Sequence, residues 1–154
     1  MNDLQKAPSF SCQNQDDQTV SLEDFKGKWL VLYFYPKDST SGCTKQAIAF
    51  SEQKSAFDAL NVQLLGISKD SIRSHQRFIE KFDLRIPLLS DPDTQIHQDY
   101  DVWKEKSMYG KKYFGAERST FVITPEGLIH KKWSKVKVPG HVDEVLAYLR
   151  SVIR

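Results

Sequence analysis

The chain has 154 residues, 40% hydrophobic, 12% aromatic and 27% charged, the size and composition of one globular domain with apolar material enough for a core. Lys and Arg number 22 against 20 Asp and Glu, a net charge of +2, so the chain as a whole has no strong field for a polyanion and nucleic acid is not an expected partner. The longest apolar run, Trp29 to Tyr35, is far short of the ~20 residues of a membrane-spanning helix, and the N-terminal MNDLQKAPSFSCQNQDD has no secretory apolar core, which predicts a cytoplasmic protein with no membrane partner.

In chain order, FSC, QNQDDQ and TVSL alternate apolar and polar character and predict a small N-terminal hairpin or extended arm. Trp29 to Tyr35 is continuously apolar, the pattern of a strand buried on both faces of a sheet. Pro36 ends it, Lys37 to Gly42 reads as a turn-rich loop, and Ala47, Phe50, Ala56, Phe57 and Leu60 predict a helix from Cys43 to about Leu60. Val62 to Ile67 is a second strand. Ser71 to Phe82 is a helix burying Ile72, Phe78, Ile79 and Phe82, which makes the two strands a parallel pair. A short extended piece (84–89), a short helix (93–100), a hairpin of TFVI and 128–133 around the turn Thr124 to Gly127, and an amphipathic helix from His141 to Ile153 follow.

Only two cysteines occur, Cys12 and Cys43, with no CxxC pair, and His75, His97, His130 and His141 lack metal-ligand spacing, so neither a metal nor an organic cofactor is expected. Cys43 follows a glycine and opens a helix, where unpaired backbone N–H groups and the positive end of the helix dipole favour a thiolate. By spacing alone an isolated cysteine is more often a small buried hydrophobe.

Pro36, Thr40 and Cys43 stand as PxxxTxxC within YPKDSTSGCTKQA, and Arg118 lies downstream in ERSTFVI. These motifs resemble the peroxiredoxins. APSF, LYFYPKDST, LLGISKD, PLLSD and VWKEKSMYGKKYFGAERSTFVI are similar to the bacterioferritin comigratory, or peroxiredoxin Q, branch across nearly the whole chain. The resemblance implies one domain over residues 1–154 with an α/β, thioredoxin-like fold: a central mixed β-sheet flanked by helices, with an N-terminal β-hairpin extension.

It implies that Cys43 is the peroxidatic nucleophile, which attacks a hydroperoxide and becomes a sulfenic acid. Thr40 would hydrogen-bond thiolate and peroxide, Arg118 would supply a fixed charge with several donors, and backbone N–H groups near Gly42 and Cys43 would steady the leaving oxygen. Pro36 would shield the pocket, and Gln46 would orient the arginine. Without the motif, Thr40 reads as a turn or capping residue and Arg118 as a surface charge. Trp103 and Tyr109, in the segment resembling the active-site surroundings, are expected in the core.

The chain departs from that branch at the resolving cysteine. Ile48 stands where many members have it, and His97 lies about where others do. Cys12 is the one remaining candidate, so the expectation is a one-cysteine mechanism in which an external thiol (thioredoxin, glutaredoxin or glutathione) reduces Cys43. Two other classes compete: a thioredoxin-like disulfide oxidoreductase, which normally needs CxxC, and a non-catalytic binding module with the same fold. The resemblance also implies a monomer, with a weak dimer as the alternative.

Overall fold

Residues 4–153 are described by the computed structural model; the outermost ends of the expected 1–154 domain lie outside them. In chain order the elements are β1 (Ser11–Asn14), β2 (Thr19–Ser21), a 3-10 turn (Leu22–Phe25), β3 (Trp29–Phe34), α1 (Ser41–Glu52), α2 (Lys54–Ala59), β4 (Val62–Ser68), α3 (Ile72–Phe82) and β5 (Leu88–Ser90). Then come α4 (Gln95–Asp99), β6 (Trp103–Met108), β7 (Lys111–Ala116), β8 (Ser119–Ile123), β9 (Ile129–Trp133) and α5 (His141–Val152). Seven strands form one mixed sheet in the order β2-β1-β5-β4-β3-β8-β9, while β6 and β7 form a separate ribbon. This is a thioredoxin-like α/β architecture.

The apolar run of β3 explains its central place. It pairs parallel with β4 and antiparallel with β8, and Val31, Tyr33 and Tyr35 join one core with Phe50, Phe78, Val145 and Leu149 from α1, α3 and α5. Leu30, Leu32 and Phe34 join a second core with Phe10, Cys12, Ile96 and Tyr100. Both faces are covered, so no polar alternation appears in the sequence. Gly66 faces Tyr33 across the β3–β4 pair. A Cβ there would lie 2.9 Å from the Tyr33 ring and 2.8 Å from Leu88 Cδ2, so glycine lets that ring lie flat on β4.

Three expectations change. The single helix from Cys43 to Leu60 starts two residues earlier, at Ser41, and breaks at Gln53, whose backbone leaves helical geometry (φ −98°, ψ 6°). The N-terminal hairpin forms as expected, β1 pairing with β2, and β1 also pairs antiparallel with β5, so that the hairpin extends the main sheet. Of the extended 84–89 segment only Leu88 and Leu89 enter a strand. Residues 103–116 form the antiparallel ribbon β6–β7, paired from Trp103↔Ala116 to Met108↔Lys111; Tyr109 at its turn is 98% exposed, the opposite of a core residue, and Trp103 is half-buried.

Candidate active site

At the C-terminal end of β3 the chain leaves the sheet. The Tyr35 N–H still donates to the Ile67 carbonyl (3.2 Å), and the half-buried Pro36, with its constrained φ and no N–H, begins the loop that returns to α1. Asp38, 6% exposed, anchors that loop. Its carboxylate accepts from the Tyr35 hydroxyl (2.6 Å) and the Ser74 hydroxyl (2.8 Å), and its Oδ2 lies 2.7 Å from His75 Nδ1. His75 Nε2 in turn faces the Leu89 carbonyl at 2.8 Å. The Asp38 N–H donates to Asp70 Oδ2 (2.8 Å), which also accepts from the Ser68 hydroxyl (2.7 Å). Burial, with the Asp38 carboxylate beside it, holds the Tyr35 phenol well above its usual range.

Thr40 takes the N-cap of α1 with extended backbone. Its hydroxyl donates to the Lys37 carbonyl (2.9 Å), and its own carbonyl receives the first helical bond, from the Thr44 N–H (2.8 Å). The N–H groups of Ser41, Gly42 and Cys43 therefore precede the first intrahelical bond and point from the helix end. Cys43 is the third residue of α1 and is 1% exposed.

Arg118 reaches it from the segment between β7 and β8. One guanidinium nitrogen donates to Cys43 Sγ at 3.3 Å, and the other to Gln46 Oε1 at 2.6 Å. Gln46, one turn after Cys43 and fully buried, thereby sets the guanidinium in position with its amide oxygen, while its Nε2 has no partner. A Cβ on Gly42 would sit 3.3 Å from the same guanidinium, so glycine leaves room for the close approach. The Arg118 backbone is tied in turn, its carbonyl accepting from the Val136 N–H at 2.9 Å.

Cys43, Gly42, Gln46 and Arg118 are thus brought together, with Pro36 and Thr40 on the loop that delivers them. Cys12 is not among them. It lies on β1, which β5 and β4 separate from β3, and belongs to the core on the opposite face of the sheet from Cys43. Three strand spacings amount to about 14 Å, beyond the ~7 Å between Cα atoms that a disulfide spans. Burial, helped by the nearby Asp91 carboxylate, pushes the Cys12 thiol up to about 12. His97 is a buried structural residue: its Nδ1 lies 2.6 Å from Asp91 Oδ2, and its ring packs on Phe34 and Trp103. Burial pulls the Asp91 carboxyl upward, but its bonds with His97 outweigh that and hold it below its ordinary value.

The Asp38–His75–Asp70 network escaped sequence reasoning. Its one readable signal is His75 itself, a polar residue on the apolar stripe of α3 between Ile72 and Phe78. A cavity of about 240 Å³ lined by Leu22, Phe25, Lys28, Leu30 and Ile123 opens at the opposite end of β3 from Cys43 and takes no part in this arrangement.

Chemically, the site offers a sulfur nucleophile beside a guanidinium and free backbone donors, the set that an attack on a polarised oxygen uses. A family model described as AhpC/TSA family matches residues 4–132. A putative peroxiredoxin bcp of Coxiella burnetii is 49% identical over 145 residues, spanning 94% of this chain and 96% of that protein. Peroxiredoxin Bcp of Bacillus subtilis is 45% identical over 148 residues, spanning 96% and 94%. A structure of Xanthomonas campestris bacterioferritin comigratory protein, reported for its alkyl peroxide reduction activity, matches with a TM-score of 0.91 at 43% identity over 94% of this chain and 92% of that one.

Proposed function

The chain belongs to the AhpC/TSA family as a peroxiredoxin of the Bcp type, and from that premise we propose which atoms carry its chemistry. Its activity is thiol-dependent peroxide reduction. Cys43 Sγ attacks the terminal oxygen of hydrogen peroxide or an organic hydroperoxide. An S–O bond forms as the O–O bond breaks, and the departing alkoxide or hydroxide takes a proton and leaves as alcohol or water. Arg118 steadies the sulfur and the charge that passes to the leaving oxygen. Gln46 keeps the guanidinium aligned, and the backbone N–H groups at Gly42 and Cys43 add donors along the same line. Thr40 exchanges its bond with Lys37 for one to the peroxide, and Pro36 closes the pocket from the strand side.

Recycling follows a one-cysteine route. An external thiol condenses with the sulfenic acid on Cys43 to give a mixed disulfide and water, and a second thiol releases the reduced enzyme. Thioredoxin, glutaredoxin and glutathione are the candidate reductants. Placement of Cys12 on the far face of the sheet, at the protonated end of the thiol range, supports this route. We further assign the whole chain to one domain that works as a monomer in the cytoplasm.

The observation that carries this reading is the Arg118 fork, which holds Cys43 Sγ and Gln46 together. Rapid mixing of Cys43→Ser and wild-type protein with hydrogen peroxide tests it: oxidation vanishes in the variant, and retained peroxidase turnover would refute the assignment. Insulin reduction separates the oxidoreductase alternative, for which turnover without peroxide is required.

A further inference from the structure

The β6–β7 ribbon stands apart from the main sheet and exposes both faces of its outer part, residues 107–114. Among the described residues it carries the exposed large apolar side chains: Met108 at 57% and Tyr109 at 98% at its tip, Tyr113 at 43% farther back on the face of Met108, and Phe114 at 57% on the other face. Tyr109 also adopts left-handed backbone (φ 53°), followed by Gly110 at φ 79°. A turn with positive φ at both central residues ordinarily takes Asn, Asp or Gly at the first of them. A bulky aromatic there bears backbone strain and gains no shelter within the chain.

Charge gathers on the same ribbon. Lys104, Lys106, Lys111 and Lys112 face a single acid, Glu105, so this stretch is more positive than the whole chain at +2. Lys104 is paired with Asp101 (2.9 Å), and Lys106 donates to the Ala116 carbonyl (2.6 Å). Lys112 lies 3.8 Å from Glu105. Lys111 and Lys112, both exposed, flank Met108 and Tyr109 at the turn. Two like-charged ribbons repel, which disfavours a second copy as the occupant. Exposed aromatic and thioether side chains ringed by lysines match an interface with apolar chains below and anionic groups above.

We propose that the β6–β7 ribbon is a peripheral attachment site for an anionic phospholipid surface. Met108 and Tyr109 at the tip enter the boundary between headgroups and acyl chains, and Lys111 and Lys112 beside them meet the phosphates.

Co-sedimentation with phosphatidylglycerol-containing and pure phosphatidylcholine vesicles tests the attachment. The wild-type protein pellets with the anionic vesicles, not with the neutral ones, and high salt releases it. Each lysine near such a surface contributes about fivefold in partitioning, so Lys111→Glu with Lys112→Glu lowers binding at least ~20-fold. Met108→Ser with Tyr109→Ser lowers it at unchanged charge. Absence of wild-type binding to anionic vesicles, or binding that both double variants retain, would overturn the proposal. So would equal binding to soluble polyglutamate, which points to an acidic protein, or concentration-dependent dimerisation that the same variants abolish. Hydrogen peroxide turnover is followed in parallel without vesicles: its absence in the wild type strikes the peroxidase reading and leaves attachment standing.

Discussion

Arg118 joins two residues one helical turn apart, and its two contacts differ in length: 2.6 Å to the Gln46 oxygen and 3.3 Å to the Cys43 sulfur. The short one positions, and the longer one acts on the reacting atom. Arg118→Ala should slow Cys43 oxidation by about 10²–10³-fold, the range for removal of one preorganised donor from a developing charge. Arg118→Lys should recover little, because a single ammonium cannot reproduce the fork. Gly42→Ala should fall between the wild type and these two, since its methyl carbon would press on the guanidinium at 3.3 Å; stopped-flow oxidation rates rank the three. At this scale the reactive residues were legible because PxxxTxxC and the distant Arg118 are a motif. The Thr40 bond to Lys37 was not, since nothing in a motif says which way a hydroxyl turns before substrate arrives. Nor was the partnership of Asp38 with His75, 37 residues apart in sequence.

That partnership governs the element that carries the cysteine. The loop before α1 hangs on Asp38, and Asp38 is held by α3 through Ser74 and His75. Side-chain exposure of the pair is 3% for Asp38 and 0% for His75, so a lost partner cannot be replaced by water. Asp38→Ala should destabilise the fold by about 3 kcal/mol or more, because Tyr35, Ser74 and His75 each lose a partner at about 1–3 kcal/mol per buried group left unsatisfied, and a urea titration would register it. His75→Phe, which removes the ring nitrogens and keeps the packing volume, should cost nearly as much because Asp38 and the Leu89 carbonyl lose their partner. β3, β4, α3 and α5 were legible from hydrophobic periodicity, as each buries a continuous face. The β6–β7 ribbon was not. Its lysines and aromatics fall in runs such as Lys111-Lys112-Tyr113-Phe114, and its outer part is in water on both faces, so no apolar period marks it as a pair of strands.

At the scale of the whole molecule, two buried acid–base groups, His141 and Asp91, contribute to the response to pH. Burial holds His141 below its ordinary 6.5, even though Glu144 pulls the other way, and its Nε2 lies 2.8 Å from the Thr120 hydroxyl. The fold therefore favours the neutral ring: its contribution is complete above 6.5 and is lost as pH falls through the lower folded value. Asp91 acts in a second window, with its contribution complete above 3.8 and lost below it. Urea midpoints should fall in these two windows on acidification, and His141→Gln should flatten the first while leaving the second. The parallel centre of the sheet was visible from the order of the elements, and the mixed sheet flanked by helices was implied by the resemblance. The opposite-face placement of Cys12 was not, because it depends on β1 pairing with β5, a contact between segments about 75 residues apart that local pattern does not encode.

The central claim is that Cys43 becomes a sulfenic acid that only an outside thiol can reduce. Intact non-reduced mass after one equivalent of hydrogen peroxide, with and without a sulfenic-acid trap, tests it most directly. The account predicts a gain of one oxygen, trappable and located on Cys43, with the same result in Cys12→Ser. A loss of two hydrogens, with Cys12 and Cys43 joined in one cross-linked peptide, would contradict it.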